Sequence, residues 1–278
     1  MRTFSHPGYK RFLLSVGCLL SIHFTALFFL TLFRLVFFFS ANYDFPDQEH
    51  VGFMSIWPAF IRGVWFDNVI ACYILLIPLV AVSISALFNY YGKILWNVTC
   101  IFFSLFYGIV LLVTAGNISY FQYFFKIINS SVFNWFGYMN TTAGMVFGET
   151  SYYPPLIGFL LTLVLFIWLM RRLIRHFQRL LNTKNPSVFW LDRIYIFLTA
   201  GICIGLCLFG IRGRTGYNPI KVSAAYYCTD PFLNQLGISP VFNLLSSTLD
   251  DSRKENRYLH LMPENEALEN TRHYLNRP

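Results

Sequence analysis

The sequence predicts an all-α membrane protein with five transmembrane helices, the amino terminus in the cytoplasm and the carboxyl terminus outside, followed by short interfacial helices. The first observation is composition: hydrophobic residues make up 56% of the 278 residues and charged residues only 12%. An average soluble domain carries roughly 25% charged residues. The second observation is five apolar stretches, when a helix needs roughly 20 residues to cross a bilayer. They run approximately over residues 12–33, 69–88, 94–115, 155–170 and 194–211.

The first and fourth stretches need separate arguments. The first is much longer than the apolar core of a signal peptide, which has roughly 7–15 residues. It continues into "RLVFFFSANYDF" without a small-residue cleavage pattern, so we expect a retained transmembrane helix. The fourth is short, and we expect Tyr152 and Tyr153 to extend it as an aromatic belt at the membrane interface.

The distribution of lysine and arginine predicts the orientation. The amino terminus and the loops after the second and fourth spans hold ten basic residues and one acid, Asp192. The opposite loops, 42–67 and 116–153, hold two basic residues, Arg62 and Lys126, against five acids. Because cytoplasmic loops carry the excess of positive charge, we expect the amino terminus inside and residues from 212 onward outside. The ten basic residues are Arg2, Lys10, Arg11, Lys93, Arg171, Arg172, Arg175, Arg179, Lys184 and Arg193, and the five acids are Asp44, Asp47, Glu49, Asp67 and Glu149.

This topology also explains the pI of about 9.2, so we expect no nucleic-acid partner. The chain has no HExxH, GxSxG, P-loop or GxGxxG motif. Cys203 and Cys207 share a helix face but no histidine accompanies them, so we expect no metal site and no cofactor in this chain. Cys228 has no obvious partner, and His23 is predicted to form a hydrogen bond between helices.

Cationic residues near the outward ends of the spans need an explanation, because the positive-inside rule depletes them there. Arg34 ends the first span, "RGVWFD" places Arg62 and Asp67 before the second, and "GIRGRTG" places Arg212 and Arg214 after the fifth. In one interpretation these side chains extend to the interface, or Arg62 and Arg212 pair with Asp67. In the other, they hold the phosphate of an outer-leaflet lipid headgroup, which arginine forks fit well. The candidate headgroup residues are Arg62, Asp67, Arg212 and Arg214.

The stretch "TDPFLNQLGISPVFNLL", residues 229–245, predicts two very short helices directly after the last span. Asp230 and Ser239 each precede a proline, which is the pattern of an N-cap followed by the first helical residue. Gly237 stands between them, where a left-handed helix end is favourable. We expect the apolar side chains to lie half-buried among headgroups and to dock the following segment on the membrane. These interfacial residues are Phe232, Leu233, Leu236, Val241, Phe242 and Leu245.

The predicted organisation has three parts. Residues 1–211 form the transmembrane domain, residues 212–248 the juxtamembrane helices, and residues 249–278 a polar linker. Within the linker, residues 263–277 have the charge pattern of one more amphipathic helix.

The segment "RGRTGYNPIKVSAAYYCTDPFLNQLGISPVFNLL", following five spans, resembles the membrane half of lipoteichoic acid synthase-like phosphoglycerol transferases. These enzymes belong to the sulfatase and alkaline-phosphatase superfamily, and the version here is similar to those of Bacteroidota. "FIRGVWFDNVIACYILLIPL" is similar to the family's entry into the second span. The resemblance implies a large exported α/β domain, with a threonine nucleophile and a divalent metal, Mn or Zn, held by Asp, Glu and His. We expect that domain to be missing from these 278 residues, so no catalytic residue is assigned.

The sequence therefore predicts a membrane-anchoring and lipid-presenting domain of an envelope phosphoglycerol or phosphoethanolamine transferase in a bacterial cytoplasmic membrane. Its expected partners are membrane lipids, including anionic phospholipid headgroups, and an exported catalytic domain in cis or in trans. One alternative is a stand-alone tether for a separate exported enzyme. A small lipid transporter or flippase subunit is less favoured, because Pro78 is the single mid-span proline and no internal repeat is visible.

Overall fold

The computed structural model describes residues 6–41, 53–138, 144, 148–181, 190–253 and 262–275. These residues form helices and connecting segments, with no strand among them. The five long helices are α1 (Pro7–Ser40), α2 (Ile56–Leu87), α3 (Lys93–Phe124), α4 (Tyr153–Leu181) and α5 (Trp190–Arg212). The shorter helices are α6 (Pro231–Leu236), α7 (Pro240–Asp251) and α8 (Glu264–Leu275). Single 3-10 turns or short 3-10 segments cover Phe53–Ser55, Ser130–Tyr138, Thr150–Tyr152 and Val222–Ala225.

All five long helices are long and apolar enough to cross a membrane, which confirms the number of spans predicted for this part of the chain. Their ends extend beyond the apolar stretches. The largest difference is α2, which begins at Ile56, so Arg62 and Asp67 lie inside a helix and not in a loop. The sequence predicted a shorter second helix because polar residues interrupt the apolar pattern at its beginning. In the structure these residues are covered by other parts of the protein. Arg2, Asp44, Asp47, Glu49 and Lys184, used for the orientation, lie outside the described residues.

Helices α1 and α2 form the centre of the bundle. In the most apolar window of each helix, 50% of α1 and 61% of α2 is buried, against 11% for the α4 span and 17% for α5. Helix α2 packs between α1 and α5, while α4 packs on α1 and α3. The buried residues of α4 begin near its middle: Phe166, Met170, Ile174 and Leu181. The first half of α4 therefore contacts the bundle loosely.

A polar contact inside the bundle joins α1 to α2. The Nε2 atom of His23 lies 3.0 Å from Oδ1 of Asn68, and the imidazole is buried. This confirms His23 as a helix-to-helix contact. The thiol of Cys207 donates to the carbonyl oxygen of Cys72 at 3.3 Å, joining α5 to α2. Within the described chain, no three His, Cys, Asp or Glu side chains are grouped to hold a metal.

Residues 213–251 fold back over one end of the bundle, and we call this segment the cap. It begins at Gly213, whose φ of +69° ends α5 in the left-handed region that favours glycine. A Cβ on Gly213 would lie 2.7 Å from Ile220 and 3.0 Å from Val69. The glycine therefore allows the cap to turn sharply onto α2.

The predicted start signals of the two short cap helices have different outcomes. The carboxylate of Asp230 accepts a hydrogen bond from the Leu233 amide at 2.8 Å, which confirms Asp230 as the N-cap residue of α6. The side chain of Ser239 makes no such bond to α7. Gly237 has a φ of −75°, so the expectation of a left-handed residue there was wrong. A Cβ on Gly237 would make ordinary contacts with Ala59, and nothing in the structure explains the glycine.

The apolar faces of α6 and α7 pack against the bundle, whereas the sequence predicted that they lie among lipid headgroups. Phe232, Leu233, Leu236 and Val241 are covered by the chain's own helices and do not lie half-buried in a lipid interface. The reason is the aromatic surface that the ends of α1, α2 and α3 present. The Phe232 ring contacts Phe37, Phe38 and Phe121, and the partly buried Phe242 ring contacts Phe66. Of the six predicted interfacial residues, Leu245 is the one that is half exposed.

The last described segment is α8, over Glu264–Leu275, within the predicted 263–277. It begins with Glu264 and Glu266 and ends with Arg272 and His273, the charge order that favours a helix. No residue of α8 is buried.

Candidate functional site

A buried ion pair joins two transmembrane helices, α1 and α2, and one of its members also binds the cap. The Nη2 atom of Arg34, near the end of α1, lies 2.7 Å from Oδ2 of Asp67 on α2. Arg34 is 5% exposed and Asp67 1% exposed. Charges this deeply buried require each other, because the solvation that water would give them has been lost.

The same guanidinium also binds the cap directly. Its Nη1 atom donates to the carbonyl oxygens of Leu236 and Ile238, the latter at 3.1 Å. Leu236 is the last residue of α6, where carbonyl groups have no partner within the helix and carry partial negative charge. One side chain therefore joins α1, α2 and the cap, and we call the Arg34–Asp67 pair with these carbonyls the clamp.

Gly63 makes room for the clamp. It lies on α2, one helical turn before Asp67, and is buried. A Cβ at this position would lie 2.2 Å from Cζ and Nε of Arg34. The guanidinium can therefore lie flat against the α2 backbone only because residue 63 has no side chain.

Arg62 contacts a second part of the cap. Its guanidinium donates to the carbonyl oxygen of Ala224 and lies 5.1 Å from the centre of the Tyr227 ring. The Tyr227 hydroxyl donates to the carbonyl oxygen of Ser55, before α2. Burial raises the pKa of Tyr227, so the phenol stays a neutral donor at any physiological pH. Arg62 is thus used to hold the cap in place.

Arg212, the last residue of α5, and Arg214, in the turn that follows, are both exposed. Arg212 donates to the carbonyl oxygens of Gly216 and Tyr217, the latter at 2.7 Å. Arg214 lies over Gly216 and has no acceptor among the described residues, so its guanidinium is available to a ligand. The four predicted headgroup residues form no ion pair with one another, and Asp67 is paired with Arg34 instead of Arg62 or Arg212.

Side-chain amides provide a further attachment between the cap and the segment after α3. The Ile127 amide donates to Oε1 of Gln235 in the cap at 3.1 Å, while the Ile128 amide donates to Oδ1 of Asn117 on α3 at 3.0 Å and joins the segment to the bundle. Nδ2 of Asn243 donates to the Ile128 carbonyl oxygen at 2.9 Å. These amides were missed in the sequence, because an isolated Asn or Gln gives no signal of which backbone group it will meet.

Two apolar cavities lie on either side of the first half of α4. One has a volume of about 270 Å³ and is lined by aromatic residues of α3, α4 and the 3-10 segments, including Tyr120, Tyr123, Trp135 and Tyr152. The other has a volume of about 240 Å³ and lies between α1, α3 and α4, with Phe33 and Pro155 in its lining. Both are at the cap end of the bundle. Their apolar linings suit hydrocarbon chains.

Comparison with known proteins finds no matching family model, no similar curated protein and no similar solved structure.

The position of Gly63 gives a direct prediction about the clamp. Gly63→Ala forces the Arg34 guanidinium away from its three acceptors, so we expect the free energy of unfolding to fall by about 1–3 kcal/mol. The matched control is Gly201→Ala on α5, where an added Cβ would meet no atom within 4 Å. In the control, stability should stay the same or rise by up to about 1 kcal/mol. Unfolding in mixed detergent micelles measures both, and equal effects of the two variants would contradict the role given to Gly63.

Proposed function

We propose that this chain is a membrane anchor that positions an exported catalytic domain, in cis or in trans, and presents membrane lipid to it. The observation that carries the proposal is the clamp, which fixes the cap to the end of the bundle through a buried guanidinium. A cap that served only as a flexible linker would need no buried charge. A rigid cap gives whatever follows it a defined position relative to the membrane.

The direction of the chain in the membrane is part of this proposal. The excess of lysine and arginine at the end of the bundle opposite the cap supports a cytoplasmic location for that end. The cap and the polar segment after it then lie outside a bacterial cytoplasmic membrane. An exported enzyme held by the cap would meet lipids of the outer leaflet.

Lipid presentation is supported by the two apolar cavities and by Arg214. The cavities lie at the cap end, where an acyl chain of an outer-leaflet lipid would reach them. The Arg214 guanidinium is exposed, and arginine forks bind phosphate oxygens well. The assignment to phosphoglycerol or phosphoethanolamine transfer rests on the sequence pattern of residues 212–245 alone. Any divalent metal would belong to the exported domain.

The first prediction of this proposal concerns the side of the membrane on which the cap lies. In a variant without native cysteines, Tyr217→Cys places a thiol on the cap and Trp190→Cys places one at the opposite end, where the native side chains are 95% and 70% exposed. We expect a membrane-impermeant maleimide to label the first variant on intact cells and the second only after permeabilisation. The reverse pattern would overturn the proposed orientation and, with it, the link to an exported enzyme.

The second prediction of this proposal concerns the binding of a phospholipid headgroup by Arg214. Arg214→Ala should weaken binding of an anionic phospholipid to the purified chain by about 1.4- to fivefold, because an exposed charged contact contributes roughly 0.2–1 kcal/mol. Lys221→Ala is the matched control, since it removes one exposed cation from the same cap. Native mass spectrometry with added lipid measures both. Equal losses in the two variants would remove Arg214 from the proposal and leave the anchoring role intact.

A further inference from the structure

A polar cleft lies at the opposite end of the bundle from the cap. It has a volume of about 320 Å³ and is formed by the turn between α2 and α3, the first turn of α3 and the end of α4. Its lining residues are Arg11, Asn89, Tyr90, Tyr91, Gly92, Lys93, Trp96, Gln178 and Leu181. We call it the basic cleft, because its lining contains two cationic side chains and no carboxylate.

The start of α3 gives the basic cleft a positive potential. Gly92 precedes the helix and offers no side chain to cap its free amide groups. The amino-terminal end of a helix carries partial positive charge and binds anions. Lys93, the first residue of α3, and Arg11, which is largely buried on α1, add full charges to the same space.

Three buried polar atoms of the lining have no hydrogen-bond partner in the described chain. They are Nε1 of Trp96, the hydroxyl oxygen of Tyr91 and Oδ1 of Asn89. Trp96 is only 1% exposed, so its indole N–H is removed from bulk water. A buried donor without an acceptor costs about 1–3 kcal/mol, and such groups are rare in native proteins and call for an explanation, such as a bound water or ion.

The protonation state of Tyr91 makes it a donor. Burial raises its pKa to about 12, and the nearby charge of Arg11 only partly opposes this. The Tyr91 hydroxyl therefore keeps its proton at neutral pH. With Trp96 it gives the basic cleft two uncommitted donors, which match the oxygens of an anion, and Asn89 gives one acceptor for a ligand hydroxyl.

A second cavity continues from the basic cleft along the bundle. It has a volume of about 560 Å³, lies between α3 and α4, and shares Trp96 and Gln178 with the basic cleft. Its lining includes the apolar side chains of Ile101 and Ile174 together with Arg171 and Arg175, and most of the surface that it exposes is apolar. A polar, cationic space that opens into an apolar one has the layout of a phospholipid, with its headgroup at one end and a hydrocarbon chain at the other.

We propose that the basic cleft binds a phosphate group, and that this group belongs to an anionic phospholipid whose hydrocarbon chain lies in the adjoining cavity. The helix start and Lys93 attract the phosphate, while the indole of Trp96 and the hydroxyl of Tyr91 donate to its oxygens. The positive-inside rule accounts for exposed cations at this end. It does not account for buried donors that have no acceptor.

The test uses the purified full chain, native mass spectrometry and two lipids, dioleoyl phosphatidic acid and dioleoyl phosphatidylcholine. The double variant Tyr91→Phe/Trp96→Phe keeps an aromatic ring at both positions and removes both donors. Its matched control, Tyr73→Phe/Trp190→Phe, changes the same residue types at exposed positions. We expect binding of phosphatidic acid to fall at least about tenfold in the donor variant, because hydrogen bonds to a charged group are strong, and to stay within twofold in the control.

A charge variant tests the same site without changing the buried rings. Lys93→Gln should weaken phosphatidic acid binding about threefold, as expected for an exposed charge. Arg193→Gln is its control, since Arg193 is exposed at the same end but does not line the cleft. Phosphatidylcholine should bind less tightly than phosphatidic acid to the wild type and respond little to either variant.

Competition identifies the source of the phosphate. If excess inorganic phosphate does not displace phosphatidic acid, the ligand is the lipid, as proposed. Displacement by inorganic phosphate that depends on Tyr91 and Trp96 would keep the phosphate site but assign it to a soluble ligand and overturn the lipid part.

Thermal unfolding without added lipid separates a binding role from a structural one. A donor that lacks an acceptor in the free protein contributes no stability, so the single variant Tyr91→Phe, which keeps the ring and removes only the hydroxyl, should unfold at the same temperature as the wild type or higher. A lower unfolding temperature of Tyr91→Phe together with unchanged phosphatidic acid binding in the double variant would show that these donors are structural, and the proposal would fail.

Discussion

The buried guanidinium of Arg34 is the constraint on which the rest of the cap end depends. A full positive charge removed from water needs acceptors close to it, and the structure provides Asp67 on one helix and two carbonyl groups of the cap for the two terminal nitrogens of the guanidinium. Because these acceptors come from different parts of the chain, their relative positions are fixed together. Gly63 is part of the same constraint, since any side chain there would occupy the space of the guanidinium.

The two ends of the bundle therefore have different chemistry. At the cap end, Arg34, Arg62 and Arg212 each donate to protein oxygens, and the apolar cavities beside α4 are the spaces left open. At the opposite end, buried donors in the basic cleft lack acceptors while cations surround them. Helix α4 connects both regions, and its buried residues begin near its middle. In the proposed role, the anchor would contact lipid at both ends of the bundle.

Much of the fold follows from local sequence patterns, and much of the site does not. Hydropathy predicts the five spans, and a carboxylate before a proline predicts the helix N-cap at Asp230. The partner of Asp67 depends on which helices become neighbours, and no local pattern encodes this. The sequence therefore offered Arg62 and Arg212 as partners, whereas the structure pairs Asp67 with Arg34. The burial of Phe232 and Leu236 was missed for the same reason, because an amphipathic helix has the same pattern whether it faces lipid or protein. The helix ends were misplaced where polar residues lie under the cap.

The measurement that tests the account most directly is a double-mutant cycle on Arg34 and Asp67, with the free energy of unfolding measured in mixed micelles. Asp67→Asn and Arg34→Met each leave one buried charge without its partner, which costs about 3–5 kcal/mol in comparable pairs. The double variant removes both charges, so its loss should be smaller than the sum of the single losses by about 2–3 kcal/mol. Losses that add to within about 0.5 kcal/mol would show that the two residues act independently, and the clamp would not be what holds the cap to the bundle.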